Sequence, residues 1–225
     1  MDCTVQYHAA VDDDGRSARK RRAILEAATS AFLRNGYLGT SMDEIAALAS
    51  VSKQTVYKHF ADKERLFAEI VAATVEEVAN RVYNEVLDLA DSGNVEADLR
   101  DLARRLLAGV LQPRVLQLRR LVIGEAGRFP ELGRMFYEQG PGRTVDALAA
   151  ALERLGTRGV LFVEDPRLAA AHFNWLVLSI PLNQAMLLGT DEAPPSAELD
   201  GYADAGVKVF LAAYGRPPEG RQRRK

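Results

Sequence analysis

Residues Thr40 to Phe60 read TSMDEIAALASVSKQTVYKHF, and their spacing predicts two short helices joined by a tight turn. Ser41 stands three residues before Glu44, the capping-box spacing in which each side chain satisfies a free backbone N–H at a helix start. Met42, Ile45, Ala46 and Ala49 then recur with helical period, so one face is apolar, while Asp43 and Glu44 lie where the positive end of the helix dipole favours them. The period breaks at Ser50-Val51, and Ser52 supplies a fresh N-cap for a second helix carrying Lys53, Gln54, Thr55, Tyr57, Lys58 and His59.

That second helix is short and polar. Only Val56 and the closing Phe60 are available to anchor it, so packing alone does not explain it, and its exposed face suits nucleic acid. In a helix-turn-helix the second helix enters the major groove with its first residues on base edges, while hydroxyls, amides and cations around it hold phosphates.

The run GYLGTSMDEIAALASVSKQTVYKHFADKERLF, Gly36 to Phe67, resembles the amino-terminal pattern of the TetR/AcrR family of transcriptional regulators, including aromatic Tyr57, Phe60 at the helix end and the Asp-Lys-Glu that opens the next helix. Two positions depart from the family pattern. Ser50 stands where the family commonly has Gly in the turn, so a left-handed conformation there carries a steric cost that Gly avoids. Gln54 replaces a frequent small Gly and is able to pair with adenine through two hydrogen bonds. Lys53, Gln54 and Thr55 are the expected base-edge contacts, with Lys58 on the same helix. The resemblance further implies that Thr40, Tyr57, His59 and Lys63 hold phosphates, whereas Ser41 and Ser52 mainly cap.

Composition is that of an ordinary soluble globular protein: 225 residues, 48% hydrophobic, with one cysteine and three histidines. Apolar residues recur at helical spacing from Arg19 almost to Tyr214, and strand-like alternation is scarce, so the expected fold class is all-α. The lone Cys3 excludes an intramolecular disulfide framework, and the dispersed histidines offer no metal site. No apolar run reaches the ~18 residues of a membrane span, and the opening MDCTVQYHAA lacks the marks of a signal peptide; a cytoplasmic protein is expected. The net charge of −2 is unevenly distributed. Residues 1–15 carry −4, residues 16–65 carry +5, residues 66–215 carry −7 and the tail from Arg216 carries +4. The basic segment coincides with the helix-turn-helix, as phosphate neutralisation requires.

Read in order, residues 1–15 lack periodicity and are expected to be a flexible arm; residues 16–62 form the helix-turn-helix domain, 63–214 a helical regulatory and dimerisation domain, and 215–225 a basic tail. The first helix is expected from a Ser17 cap to Asn35-Gly36. Its basic cluster Arg19 to Arg22 leaves two readings open, a solvated face or phosphate and minor-groove contacts. Asp62 is expected to cap a helix from about Lys63 to about Ala90, spanning ~40 Å at 1.5 Å per residue and linking the two domains. Helices from Val95 to Leu111, Arg114 to Ala126, Pro130 to Gln139 and Thr144 to Leu155 follow, the last ended by Gly156. Asp165-Pro166 opens a helix that is apolar nearly all round, with a kink expected at Pro181, and a final helix runs from about Ser196 to Ala213.

LVIGEAGRFPELGRMFYEQGPGR resembles the carboxy-terminal domain of AefR-like members of the same family. The resemblance implies a homodimer through the last two long helices, a palindromic double-stranded DNA operator and a small-molecule effector held in a cavity of the second domain. The expected apolar lining is Leu107, Leu111 and Ile123, then Phe129, Met135 and Phe136, then Phe173 and Met186. Gln112, His172, Asn174 and Asn183 are the expected polar handles. No nucleophile elbow, phosphate loop, metal spacing or paired carboxylates stands out, so neither catalytic residues nor a cofactor are expected. The rivals to a specific regulator are a nonspecific architectural DNA-binding protein and, more remotely, a helical enzyme. The −7 charge of residues 66–215 repels DNA and argues against the architectural reading.

Overall fold

The computed structural model describes residues 4–189 and 194–216, so Cys3 and the basic tail beyond Arg216 lie outside the described residues. The helices in chain order are α1 (Thr4–Gly39), α2 (Met42–Leu48), α3 (Lys53–His59), α4 (Lys63–Leu89), α5 (Val95–Val110), α6 (Pro113–Glu125) and α7 (Pro130–Tyr137). A π-helical turn (Glu138–Gly142) leads into α8 (Arg143–Thr157), then α9 (Pro166–Leu188) and α10 (Ser196–Tyr214). No β-strand occurs among the described residues; Leu161 and Gly215 form one isolated bridge.

The chain divides into two compact units, and the division differs from the expected boundary at residue 62. The first unit extends to Ala73, inside α4, and takes in Leu121–Leu132; the second comprises Thr74–Arg120 and the chain from Gly133 onward. In the first unit, Ile24, Ala28 and Phe32 of α1 meet Ile45 of α2, Val56 of α3 and Phe67 of α4 in a core where each is essentially fully buried. Each such large side chain contributes about 1.5–3 kcal/mol through burial. Aromatic rings thicken this core: Phe32 lies 4.9 Å from Phe67, Tyr37 5.2 Å from Phe67, and Phe129 packs edge-on against Tyr37 at 5.2 Å.

In the second unit α9 packs against α8 and α10, and α10 packs against α5. Its core includes Leu106, Leu107, Leu152, Phe173, Val207 and Phe210. Phe173 and Phe210 meet edge-on at 5.3 Å. Close approach of α9 and α10 depends on Gly206, where a Cβ would stand 3.1 Å from Val177 Cγ2 and 3.3 Å from the Leu176 carbonyl.

Three sequence expectations are corrected. Residues 4–15 continue α1 rather than forming an unstructured arm, and Ser17 lies inside the helix instead of capping it. No proline interrupts that stretch, and Gly15 alone costs only about 1 kcal/mol in a helix interior. Gly36 does break the helical path, at φ 73° and ψ 175°. Gly156 does not end α8: the left-handed position is Gly159, at φ 72°, where Gly159 N–H donates to Gly156 O at 2.9 Å and Val160 N–H to Leu155 O at 3.0 Å. That pair of bonds is a Schellman motif, which satisfies carbonyls left over at a helix end. Finally, Gly140, Pro141 and Gly142 do not separate α7 from α8; they carry the chain through as a π turn. The expected start of α9 holds, with Asp165 Oδ1 accepting from Leu168 N–H at 3.0 Å and Pro166 as the first helical residue, and α9 is continuous through Pro181.

Candidate functional site

The α2–α3 pair is held by backbone chemistry that its short helices cannot supply by burial. Ser41 Oγ accepts from Glu44 N–H at 3.1 Å, but the reciprocal half of the expected capping box is replaced: Glu44 Oε1 accepts instead from Asn35 Nδ2 at 2.7 Å, tying α2 to α1. The turn is a second Schellman motif, with Ser50 N–H donating to Ala47 O at 3.1 Å and Val51 N–H to Ala46 O at 3.0 Å. Ser50 takes the left-handed position at φ 54°, the only positive φ outside glycine among the described residues. Ser52 Oγ then caps α3 from Thr55 N–H at 3.1 Å and shares a 2.8 Å hydrogen bond with the Thr55 hydroxyl.

Val56 and Phe60 alone bury the underside of α3. Lys53, Gln54 and Lys58 are exposed on it, Tyr57 is 45% exposed, and Thr55 and His59 are half-buried. Lys53 Nζ pairs with Asp43 at 2.8 Å, which aligns the start of α3 with α2 through a contact that solvent or a phosphate readily replaces. Burial, with Lys58, Arg21 and Lys20 nearby, pushes the His59 imidazole below its ordinary pKa. Arg21 of the basic cluster pairs with Glu69 and lies over the Phe60 ring at 5.4 Å.

Two expected phosphate contacts are already committed inside the protein. The Thr40 side chain is 2% exposed and its hydroxyl donates to Gly36 O at 2.8 Å. Lys63 Nζ donates to Tyr37 O and Thr40 O, each at 2.9 Å, and sits 4.5 Å from the Tyr37 ring centroid. It therefore clips the end of α1 to the start of α4, where Arg65 N–H also donates to Asp62 Oδ1 at 2.7 Å.

The second unit contains a small apolar pocket with a cavity volume of about 40 Å³. Val75, Val78 and Ala79 of α4 form one wall, and Val115 and Arg119 of α6 another. Phe136, the π turn at Gly140-Pro141 and Thr144 close a third side, opposite Asn174, Trp175, Leu178 and Leu182 of α9. Of the expected lining, Phe136 and the polar handle Asn174 are in these walls. Leu107, Leu111 and Phe173 are fully buried in the helical core, and Met186 packs against it, because they sit on the faces through which the helices of this unit meet. Ile123 is 62% exposed and, with Phe129 against Tyr37, belongs to the first unit. Met135 and Gln112 are half-buried outside the walls. Asn183 is exposed and donates to Ser179 O at 2.7 Å, while exposed His172 shares a 2.6 Å hydrogen bond with the Tyr214 hydroxyl. Sequence reasoning missed Arg119, although it lies four residues after Val115 and three before Val122 and so interrupts a buried stripe.

Matches to known families cover both units. The profile of the tetR family of bacterial regulatory proteins matches residues 24–70, and that of the AefR-like transcriptional repressor carboxy-terminal domain matches residues 97–216. The chain belongs to the TetR family. A solved structure of a TetR-family transcriptional regulator from Mesorhizobium loti is 46% identical, covers 89% of this chain and 99% of its own, and superposes with a TM-score of 0.83. The flavonoid-responsive regulator FrrA is 35% identical over 89% of this chain and all of its own, at a TM-score of 0.72. The helix-turn-helix regulator YhgD of Bacillus subtilis is 43% identical over 65 residues, 29% of this chain and 34% of that protein. The chain thus matches about a third of that curated relative's length. This TetR-family chain has no helix, among the described residues, long and apolar enough to cross a membrane.

Proposed function

We propose that this TetR-family protein is a sequence-specific DNA-binding transcriptional repressor whose operator affinity is changed by a small molecule. The observation that carries the reading is α3: a helix anchored by little more than Val56 and Phe60, fixed by the Ser52 cap and the Ser50 turn, with Lys53, Gln54, Tyr57 and Lys58 facing outward. Lys53, Gln54 and Thr55, at its N-terminal end, are assigned to base edges, and Tyr57, Lys58 and His59 to phosphates. Ser41 and Ser52 act through the caps they form, and Thr40 and Lys63 through the framework that holds α1 against α4.

A homodimer supplies the second recognition helix. Leu168, Ile180, Leu187 and Leu188 of α9, all at least half exposed, together with 53% exposed Val209 of α10, support pairing through the last two helices. A ligand acts by binding one spacing of the two recognition helices better than another, so operator affinity shifts by the ratio of its affinities for the two states. FrrA, similar over 89% of this chain, is named as flavonoid-responsive, which supports an organic effector here.

The experiment is selection of bound fragments from random DNA at physiological salt, followed by competition against unrelated DNA. Specific regulators discriminate by roughly 10³–10⁷ in affinity. Enrichment of a palindrome with a ratio in that range establishes the reading, whereas equal competition by unrelated DNA establishes an architectural binder.

A further inference from the structure

The second-unit pocket pairs an apolar wall with polar groups that lack partners. Asn174 is 1% exposed and its amide nitrogen Nδ2 makes no hydrogen bond; half-buried Arg119 likewise leaves its buried guanidinium nitrogen Nε without an acceptor. Both line the cavity. An arginine keeps its charge at any physiological pH, and burying a cation without a counter-charge is among the most costly arrangements a fold can hold. Burial is what pulls the Arg119 pKa below its ordinary value, and no acidic side chain among the described residues offsets it. Among the described residues the guanidinium meets the Phe136 ring, 5.1 Å from its central carbon to the ring centroid, which is favourable but much weaker than a carboxylate.

We propose that the pocket takes an apolar, ring-bearing molecule with one anionic oxygen group, a carboxylate or a phenolate, that pairs with Arg119 and accepts from Asn174 Nδ2. The inference rests on the effector-responsive reading and names the chemical class of the effector. The body of the molecule lies against Val75, Val78, Val115 and Leu178, and its ring stacks beside Phe136. The cavity of about 40 Å³ is far below the ~300–1,000 Å³ of a small-molecule site, so binding must displace its walls. The wall best suited to move is the π turn at Glu138–Gly142, since π turns distort the helical ladder and are frequent at functional sites. Gly140 lies on that turn so close to α4 that a Cβ there would stand 3.1 Å from Val75 Cγ1, so a shift of the turn is transmitted directly to α4.

The test compares two acid–amide pairs of matched shape, benzoate with benzamide and 2-naphthoate with 2-naphthamide, by calorimetry and by release of DNA from the full-length protein. The expected result is at least a tenfold preference for the acid in one pair, lost in Arg119→Met and retained in part in Arg119→Lys. Without ligand, Arg119→Met is expected to melt about 2–5 °C higher than the natural protein, because it removes an unpaired buried charge; a purely structural arginine predicts a fall instead. Equal binding of acid and amide, or a lowered melting point with unchanged acid preference, overturns the anion assignment and leaves the effector-responsive reading standing. Failure of every acid and amide to bind overturns the anion assignment too, and the broader reading then falls only if a chemically diverse panel leaves operator affinity unchanged. If Arg119→Met does not fold, the acid–amide comparison on the natural protein decides alone.

Discussion

On the proposed reading Gln54 carries the sequence preference, because its exposed amide is able both to donate to and accept from one adenine edge. Gln54→Ala is expected to relax preference at one position of each half-site by about 1–3 kcal/mol, read by competition among operator variants. Tyr57→Phe removes only a phosphate donor and is expected to weaken all sequences alike. Ser50 is the residue whose cost is visible in the backbone: a left-handed non-glycine is disfavoured by roughly 1–2 kcal/mol, partly offset by the extra chain entropy that a glycine loses on folding. Ser50→Gly is therefore expected to stabilise the protein by about 1 kcal/mol in chemical denaturation with no change in operator sequence. His59 has a folded-state pKa lowered chiefly by burial, so protonation favours the unfolded chain. Its contribution is fully present above the unfolded value near 6.5 and is lost as pH falls below it, and His59→Gln is expected to flatten that part of a pH–stability profile. Bound phosphates oppose the same shift, so operator affinity should rise as pH falls through that range.

Four helix starts were legible in the sequence from a cap followed by an apolar period, whereas Ser17 lies inside α1 despite the apolar stripe that follows it. Ser41, Ser52, Asp62 and Asp165 each cap the helix they announce, and α4 and α9 start at the residues their caps predict, whereas α10 starts at Ser196 without a side-chain cap. Ends marked only by glycine were less legible, since Gly156 and Gly159 are equivalent as letters and only the backbone bonds to Leu155 and Gly156 decide which turns left-handed. The π turn was invisible because Gly-Pro-Gly reads as a break, whereas the wider ladder tolerates the missing proline donor. Thr40 and Lys63 show the same limit at side-chain level: a family position tells which residue type is present, not that the Thr40 hydroxyl donates to Gly36 and two of the three Lys63 donors go to Tyr37 and Thr40. Close approach in α10 is made within the chain, at Gly206 against α9. Gly206→Val is expected to cost several kcal/mol, of the order of other severe overpacking changes, with the loss read by thermal unfolding.

For the whole molecule, a helix apolar nearly all round, as α9 is, needs cover on more than one side, and exposed leucines and an isoleucine remain on it after α8 and α10 have packed. The pocket was far less legible, because apolar residues that line a cavity and those that fill a core obey the same period; only the polar intruders Arg119 and Asn174 distinguish them. Ile180→Glu places a charge on the exposed stripe of α9 and is expected to yield a folded monomer by sedimentation, with operator affinity reduced to its salt-sensitive nonspecific level. Whether two copies present α3 to one sequence is decided by footprinting the purified protein on the DNA flanking its own gene, at physiological salt with nonspecific competitor. The expected result is a protected palindrome whose half-site centres lie about one helical turn, ~10 base pairs, or a multiple apart, with protection lost in Gln54→Ala at the position assigned to Gln54. Uniform, competitor-sensitive protection without half-sites would contradict it.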